Sequence, residues 1–179
     1  MRSSSSAMSS SDLSSCPKIA GSQSVPSRLS SAAVPEEERL DTEEAIERLN
    51  AALTLQFRSA LQYSLTAASL TGIEAQAIAP QLIGYGDQEL ADARLLVEKV
   101  VSFGGEPTVE VAELRNAQDG REALDWLIET EHEAIEALQR AIEPTGREGR
   151  SEALEHMLEH LIMRKQRQLD LMARARLED

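Results

Sequence analysis

Cysteine is almost absent. Cys16 is the only one in 179 residues, so no disulfide can form within the chain, and the fold must hold by packing in a way that suits a reducing compartment. Aromatic residues are nearly as scarce: two Phe, two Tyr and one Trp. The core therefore has to be filled by Leu, Ile, Val, Ala and Met, a composition typical of packed helices. Basic residues are in deficit too. Eighteen Lys and Arg against 31 Asp and Glu give a formal charge of -13, which repels nucleic acid and anionic membrane surfaces and argues against both as partners. No apolar run approaches the roughly 18 residues of a transmembrane helix. There is no Gly-x-Ser-x-Gly, no phosphate loop and no Cys-His arrangement outside the first residues, so nucleophilic catalysis has no support.

The first 33 residues hold fourteen serines, with Asp12 as the only acid and no hydrophobic period. That composition predicts a disordered Ser-rich tail over residues 1–35. "LSSC" at 13–16 resembles a lipoprotein cleavage box, but the preceding "SSSSAMSSSD" is not an apolar leader core. A Ser-rich, acid-poor start also fits an organelle transit peptide as a lesser reading. A cytoplasmic protein with a polar tail is the expectation.

What remains, 41–177, is rich in helical periodicity and sufficient for one domain. From Asp41, an Asp-x-x-Glu capping pattern opens a helix that runs to Gly72, with Leu49, Leu53, Gln56, Ala60, Tyr63 and Ala67 three or four apart on one face. A second helix from about Ile73 to Phe103 carries Leu82, Tyr85, Glu89, Asp92, Leu96, Val100 and Phe103 on its inner stripe. Pro80, Gly84 and Gly86 are expected to loosen its first half, and Gly104–Gly105 to end it. A long connection, expected to cross one end of the molecule, leads to a third helix at 121–143 with Leu124, Leu127, Ile128, Glu131, Ile135, Leu138 and Ile142 inward. The fourth, with Ser151 as N-cap, presents Leu154, Met157, Leu158, Leu161, Lys165, Leu169 and Met172. Four long helices, each with one apolar stripe, predict an all-α fold, an up-down four-helix bundle with a long crossover between helices 2 and 3.

Three stripes are interrupted near their middles by polar groups: Gln56, Glu89 with Asp92, and Glu131. Matched registers would set these facing one another in the core; a slight rotation of the helices would instead expose the acids. Charges left unpaired inside cost several kcal/mol each, so a facing layer demands a counter-charge.

The segments "LNAALTLQFRSALQYSL", "QELADARLLVEKVVSFGGEPT", "ETEHEAIEALQRAIE" and "LEHMLEHLIMRKQRQLDLM", in that order, resemble the four helices of the ferritin-like superfamily, especially bacterioferritin and its rubrerythrin-related neighbours. The resemblance runs from about Leu49 to Met172. It implies iron oxidation or storage at a di-iron site, held by one Glu from each of two helices and a Glu-x-x-His from each of the other two. Transferred position by position, the first Glu falls on Gln56, the second helix's pair on Glu89 and Asp92, the third Glu on Glu131, and the last pair on Leu161 and Arg164. Tyr63 matches a tyrosine near the iron.

Glu89, Asp92 and Glu131 are thus the residual metal-binding candidates, while Gln56, Leu161 and Arg164 are altered positions. Arginine cannot deprotonate to become a ligand. Arg164, helped by Lys165 or Arg58, is therefore expected to replace the metal as counter-charge for the three acids.

A second candidate lies on the fourth helix, where His156 and His160 with Glu159 or Glu152 are spaced to share a face. A solvated or dimer-contact face is the competing reading there, and a surface position that of His132. Haem is not expected, because the position of the family's haem-ligating methionine holds Leu90. A homodimer is expected rather than a cage, since the short fifth helix of many cage-forming members has no counterpart before Asp179. Two functions follow: a non-catalytic dimeric bundle with a largely lost di-iron centre and no resident cofactor, its protein partner unspecified, or residual iron binding or ferroxidase activity at the remaining carboxylates.

Overall fold

The computed structural model describes residues 39–116, 119–142 and 148–177. The predicted tail, 1–35, lies outside the described residues. Helix α1 spans Thr42–Ser69, α2 Ile73–Ser102, α3 Gly120–Ile142 and α4 Gly149–Leu177. None of them is long and apolar enough to cross a membrane.

The local signals explain most boundaries. The Asp41 side chain accepts from Glu44 N at 3.0 Å, and Glu43 and Glu44 oppose the positive end of the α1 dipole. Asp119 caps α3 in the same way, accepting from Glu122 N at 2.9 Å. At the end of α2, Gly104 takes φ +85°, and the N–H groups of Gly104 and Gly105 return to Val101 O and Val100 O, as a glycine-terminated helix requires.

Three expectations need correction. Helix α2 runs unbroken through Pro80, Gly84 and Gly86. Gly86 is there for proximity: a Cβ on it would lie 2.9 Å from Ser64 Oγ and 3.1 Å from Ala60 O, so its absence lets α2 press against α1. Helix α4 starts two residues before Ser151, with Glu152 N bonding Glu148 O. Ser151 is therefore buried inside the first turn rather than capping it. The connection after α2 does not cross one end of the bundle. It runs along α1, where Asn50 bonds Glu106 O and Thr108 N, Thr54 O accepts from Ala112 N, and Gln62 holds both backbone groups of Arg115. Side-chain amides of α1 thus satisfy backbone that would otherwise compete for water. Arg115 then stacks on Trp126 of α3, 3.7 Å from the ring centre.

This return path sets the topology. Glu89 faces Gln56 and Gly105, just past α2, meets Ile46, while Arg140 O faces Arg48 and Thr130 O faces Arg58, so α2 and α3 both run against α1. Tyr63 reaches Gln168 and Ser59 reaches Lys165, so α4 runs with α1. Two apolar clusters fill the interior. One gathers Leu49, Leu53, Leu96, Val100, Leu138, Leu154, Leu158 and Leu161; the other gathers Tyr63, Leu82, Leu127, Ile135, Leu169 and Met172. Between them lies a polar layer.

Candidate functional site

All four helices contribute to that layer at the middle of their buried stripes. Gln56 and Ser59 come from α1, Glu89 and Asp92 from α2, Glu131 from α3, and Lys165 from α4. Glu89, Glu131 and Lys165 are 0% exposed and Asp92 1%, which means that each charge must be paired or strongly penalised.

Lys165 is the centre. Its Nζ donates to Glu89 Oε2 at 2.5 Å, to Glu131 Oε2 at 2.7 Å and to Ser59 Oγ at 3.3 Å, using all three ammonium donors. Gln56 Nε2 donates to Glu89 Oε2 at 2.5 Å and to Glu89 O at 2.9 Å. Arg164 stands beside this centre rather than in it: Nε and Nη2 grip Asp92 at 2.9 and 2.5 Å, a bidentate pair, and Gln88 donates to the same carboxylate at 3.1 Å. Arg58 bonds Glu133 at 2.7 Å and Thr130 O at 2.8 Å, apart from the polar layer. The expected counter-charge is therefore divided, with Lys165 serving Glu89 and Glu131 and Arg164 serving Asp92. Position on the face of α4 accounts for the division. Lys165 projects with Leu161 and Leu169 on the buried stripe, whereas Arg164 sits one residue off it and stays 30% exposed.

The electrostatics follow from burial. Desolvation raises the Glu89 pKa above its ordinary value, against the lowering effect of Lys165. Lys165 is raised above 10.5 although burial opposes it, because Glu131 and Glu89 together favour the charged ammonium. Tyr63, buried beside the layer, is raised well above 10 by desolvation and by both glutamates, so its hydroxyl is a donor, and it reaches Gln168 Oε1 at 3.3 Å. Gln56 Oε1, Glu89 Oε1 and Glu131 Oε1 are buried without a hydrogen-bond partner.

Leu161 packs wholly buried in the first apolar cluster. The second candidate set lies on the outer face of α4: His156 is 75% exposed and pairs with Glu159 at 3.3 Å, while His160 and Glu152 are exposed; His132, on α3, is exposed as well. Leu90 is 43% exposed. Among the described residues, no group of three or more His, Cys, Asp or Glu is arranged to hold a metal ion. Ser59 and Gln168 belong to the site and were not singled out from the sequence. Their signal was position alone, since Ser59 is one turn beyond Gln56 and Gln168 one turn beyond Lys165.

The same architecture occurs in known proteins. A ferritin-like, diiron-carboxylate protein from Bacillus anthracis strain Ames superposes with a TM-score of 0.71 at 27% identity, over 76% of this chain and 97% of that one. The bacterioferritin of Rhodobacter capsulatus, whose structure has a metal-free dinuclear site and a heme iron, superposes with a TM-score of 0.66 at 20% identity, over 75% and 84%. No curated protein matches the chain. The model of the ferritin-like domain matches residues 46–178, three-quarters of the chain and the whole polar layer, and the chain accordingly belongs to the ferritin-like family.

Proposed function

We propose that the domain at 41–177 is a ferritin-like bundle in which a tethered cation replaces the di-iron centre, and that it works as a non-catalytic, homodimeric structural or binding module. One observation carries the proposal: Lys165 Nζ lies between Glu89 and Glu131, the two glutamates retained at the family's ligand positions, within 2.5 and 2.7 Å of their oxygens. The residues present do not fit a di-iron set. Gln56 directs amide hydrogens at Glu89, Leu161 has no donor atom, Arg164 is a permanent cation, and the Lys165 ammonium repels a divalent ion from the remaining carboxylates.

A second reading has one observation in its favour. The orphaned Glu89 and Glu131 oxygens, with Gln56 Oε1, are hard donors of the kind iron prefers. In that reading these carboxylates and Asp92 bind iron and support residual ferroxidase or storage activity.

Metal analysis of the purified protein, combined with aerobic oxidation of added ferrous ion, separates the two. The proposal expects less than one bound metal per chain and oxidation at the background rate. Stoichiometric iron that is lost in Glu131→Gln would overturn it.

A further inference from the structure

On the side where α2 faces α4, the helices are joined by Lys165–Glu89 and Arg164–Asp92 rather than by close backbone packing. Of the neighbouring helix pairs this one packs the most loosely, and between the two helices lie two hollows of about 270 and 400 Å³. Gln81, Tyr85 and Leu171 line both, so the hollows form one groove. Its two ends differ in chemistry. Ile78, Leu82, Leu124 and Met172 line one end, with Arg174 at its α4 edge; Gln88, Gln168, Arg164 and Arg167 line the other.

The charge there is opposite to that of the whole molecule. The chain carries -13, yet among the described residues no acidic side chain lines either hollow. Arg164, Arg167 and Arg174 fall on one side of α4 by helical period, three and ten residues apart. Arg164 is committed to Asp92. Arg174 spends Nε on Asp170 O at 3.1 Å, and among the described residues neither Arg167 nor Arg174 has a carboxylate partner within ion-pair distance. Apart from Asp92, which holds Arg164, the described α2 side chains on this side are uncharged: the Gln81 amide, which donates to the Tyr85 hydroxyl at 2.8 Å, and Gln88. Gly84 borders the groove, and a Cβ there would meet nothing within 4 Å.

From an apolar hollow that runs into one carrying the Arg167 guanidinium, which has no carboxylate partner among the described residues, we infer that this groove binds an amphipathic anion, a carboxylate carrying a hydrocarbon chain. The chain lies over Leu82, Leu124 and Met172 beside Arg174, and the carboxylate is met by Arg167 at the other end. A short anion would lack the apolar contact, and a cationic amphiphile would face the arginines; convergent polar groups over an apolar surface select for both features together. The inference rests on the non-catalytic reading only in giving that binding module a ligand. The metal assay concerns Lys165 and its glutamates, so failure of either idea leaves the other measurable.

The test is calorimetric titration of the full chain with dodecanoate below its micelle concentration, beside acetate and dodecyltrimethylammonium. The expected result is saturable binding of one dodecanoate per chain and no measurable binding of the other two. Arg167→Gln with Arg174→Gln should weaken dodecanoate binding at least tenfold. So should Gly84→Leu, which fills the groove at a position with open space and a helical backbone, so that folding is retained and is verified by circular dichroism. Equal binding of the cationic amphiphile, unchanged affinity in both variants, or no dodecanoate binding would each overturn the inference.

Discussion

Lys165 makes two predictions possible at the level of a single side chain. Removing one partner from a buried set strands the others, so Lys165→Met should cost about 3–5 kcal/mol at neutral pH. The cost should depend on pH. Glu89 has a folded pKa raised above 4.5, so its contribution to stability is present below that value and is lost as pH rises through the folded one. Without Lys165 the rise is larger, and the deficit of the variant should shrink between pH 7 and about 4.5 as Glu89 takes a proton. Lys165 itself, raised above 10.5, contributes fully below 10.5 and loses its contribution only as pH rises through its higher folded value. Urea denaturation of wild type and variant at pH 7 and 5 checks the sign; an equal deficit at both would contradict the pairing. Arg164→Ala should be milder, about 1.5 kcal/mol, because its charge-assisted bonds to Asp92 are made by a partly exposed guanidinium that water can in part replace.

At the level of the helix, two glycines one half-turn apart in α2 should respond oppositely to the same change. Gly84→Ala adds a methyl group into open space and removes backbone freedom from the unfolded chain, a gain of about 0.5–1 kcal/mol. Gly86→Ala drives a methyl group to 2.9 Å from Ser64 Oγ and 3.1 Å from the Ala60 carbonyl, which must push α2 off α1 at a cost of about 1–3 kcal/mol. Thermal melts of the two single variants would show it, with Tm moving up for the first and down for the second. Loss of the Tyr63–Tyr85 edge contact, whose centroids are 5.6 Å apart, should accompany the second as a change in near-ultraviolet dichroism.

For the molecule as a whole, a second flank, formed by α1, α2 and the crossover, is apolar and uncovered. Leu61, Leu90 and Val111 are 48, 43 and 43% exposed and Val109 91%, and with Phe57 they surround a hollow of about 360 Å³ between α1, α2 and the crossover. A contiguous patch of this kind in an otherwise strongly charged molecule fits self-association about a two-fold axis. Sedimentation should give a mass twice that of the chain, and Leu61→Glu with Leu90→Glu should reduce it to that of the monomer. A wild-type monomer at micromolar concentration would rule out the homodimer.

Residue order alone was enough for the four helices, since Asp41, the Gly104–Gly105 pair and the period of Leu and Ala are local signals that act within a turn or two of the chain. It also placed Glu89, Glu131 and Lys165 on buried stripes, because burial on one face is a property of a single helix. Which cation meets which acid was not local. Arg164 and Lys165 are adjacent in sequence, and only the rotation of α4 against α2 and α3, fixed by packing of Leu158, Leu161 and Leu169, points the lysine into the centre and leaves the arginine at its edge for Asp92. The path of the crossover along α1 was equally hidden, because the amides that hold it, Asn50 and Gln62, pair with backbone 53 to 58 residues away. The sequence by itself determined the elements and their buried faces; the tertiary structure decided the pairings, since these depend on distances between helices that no single helix encodes.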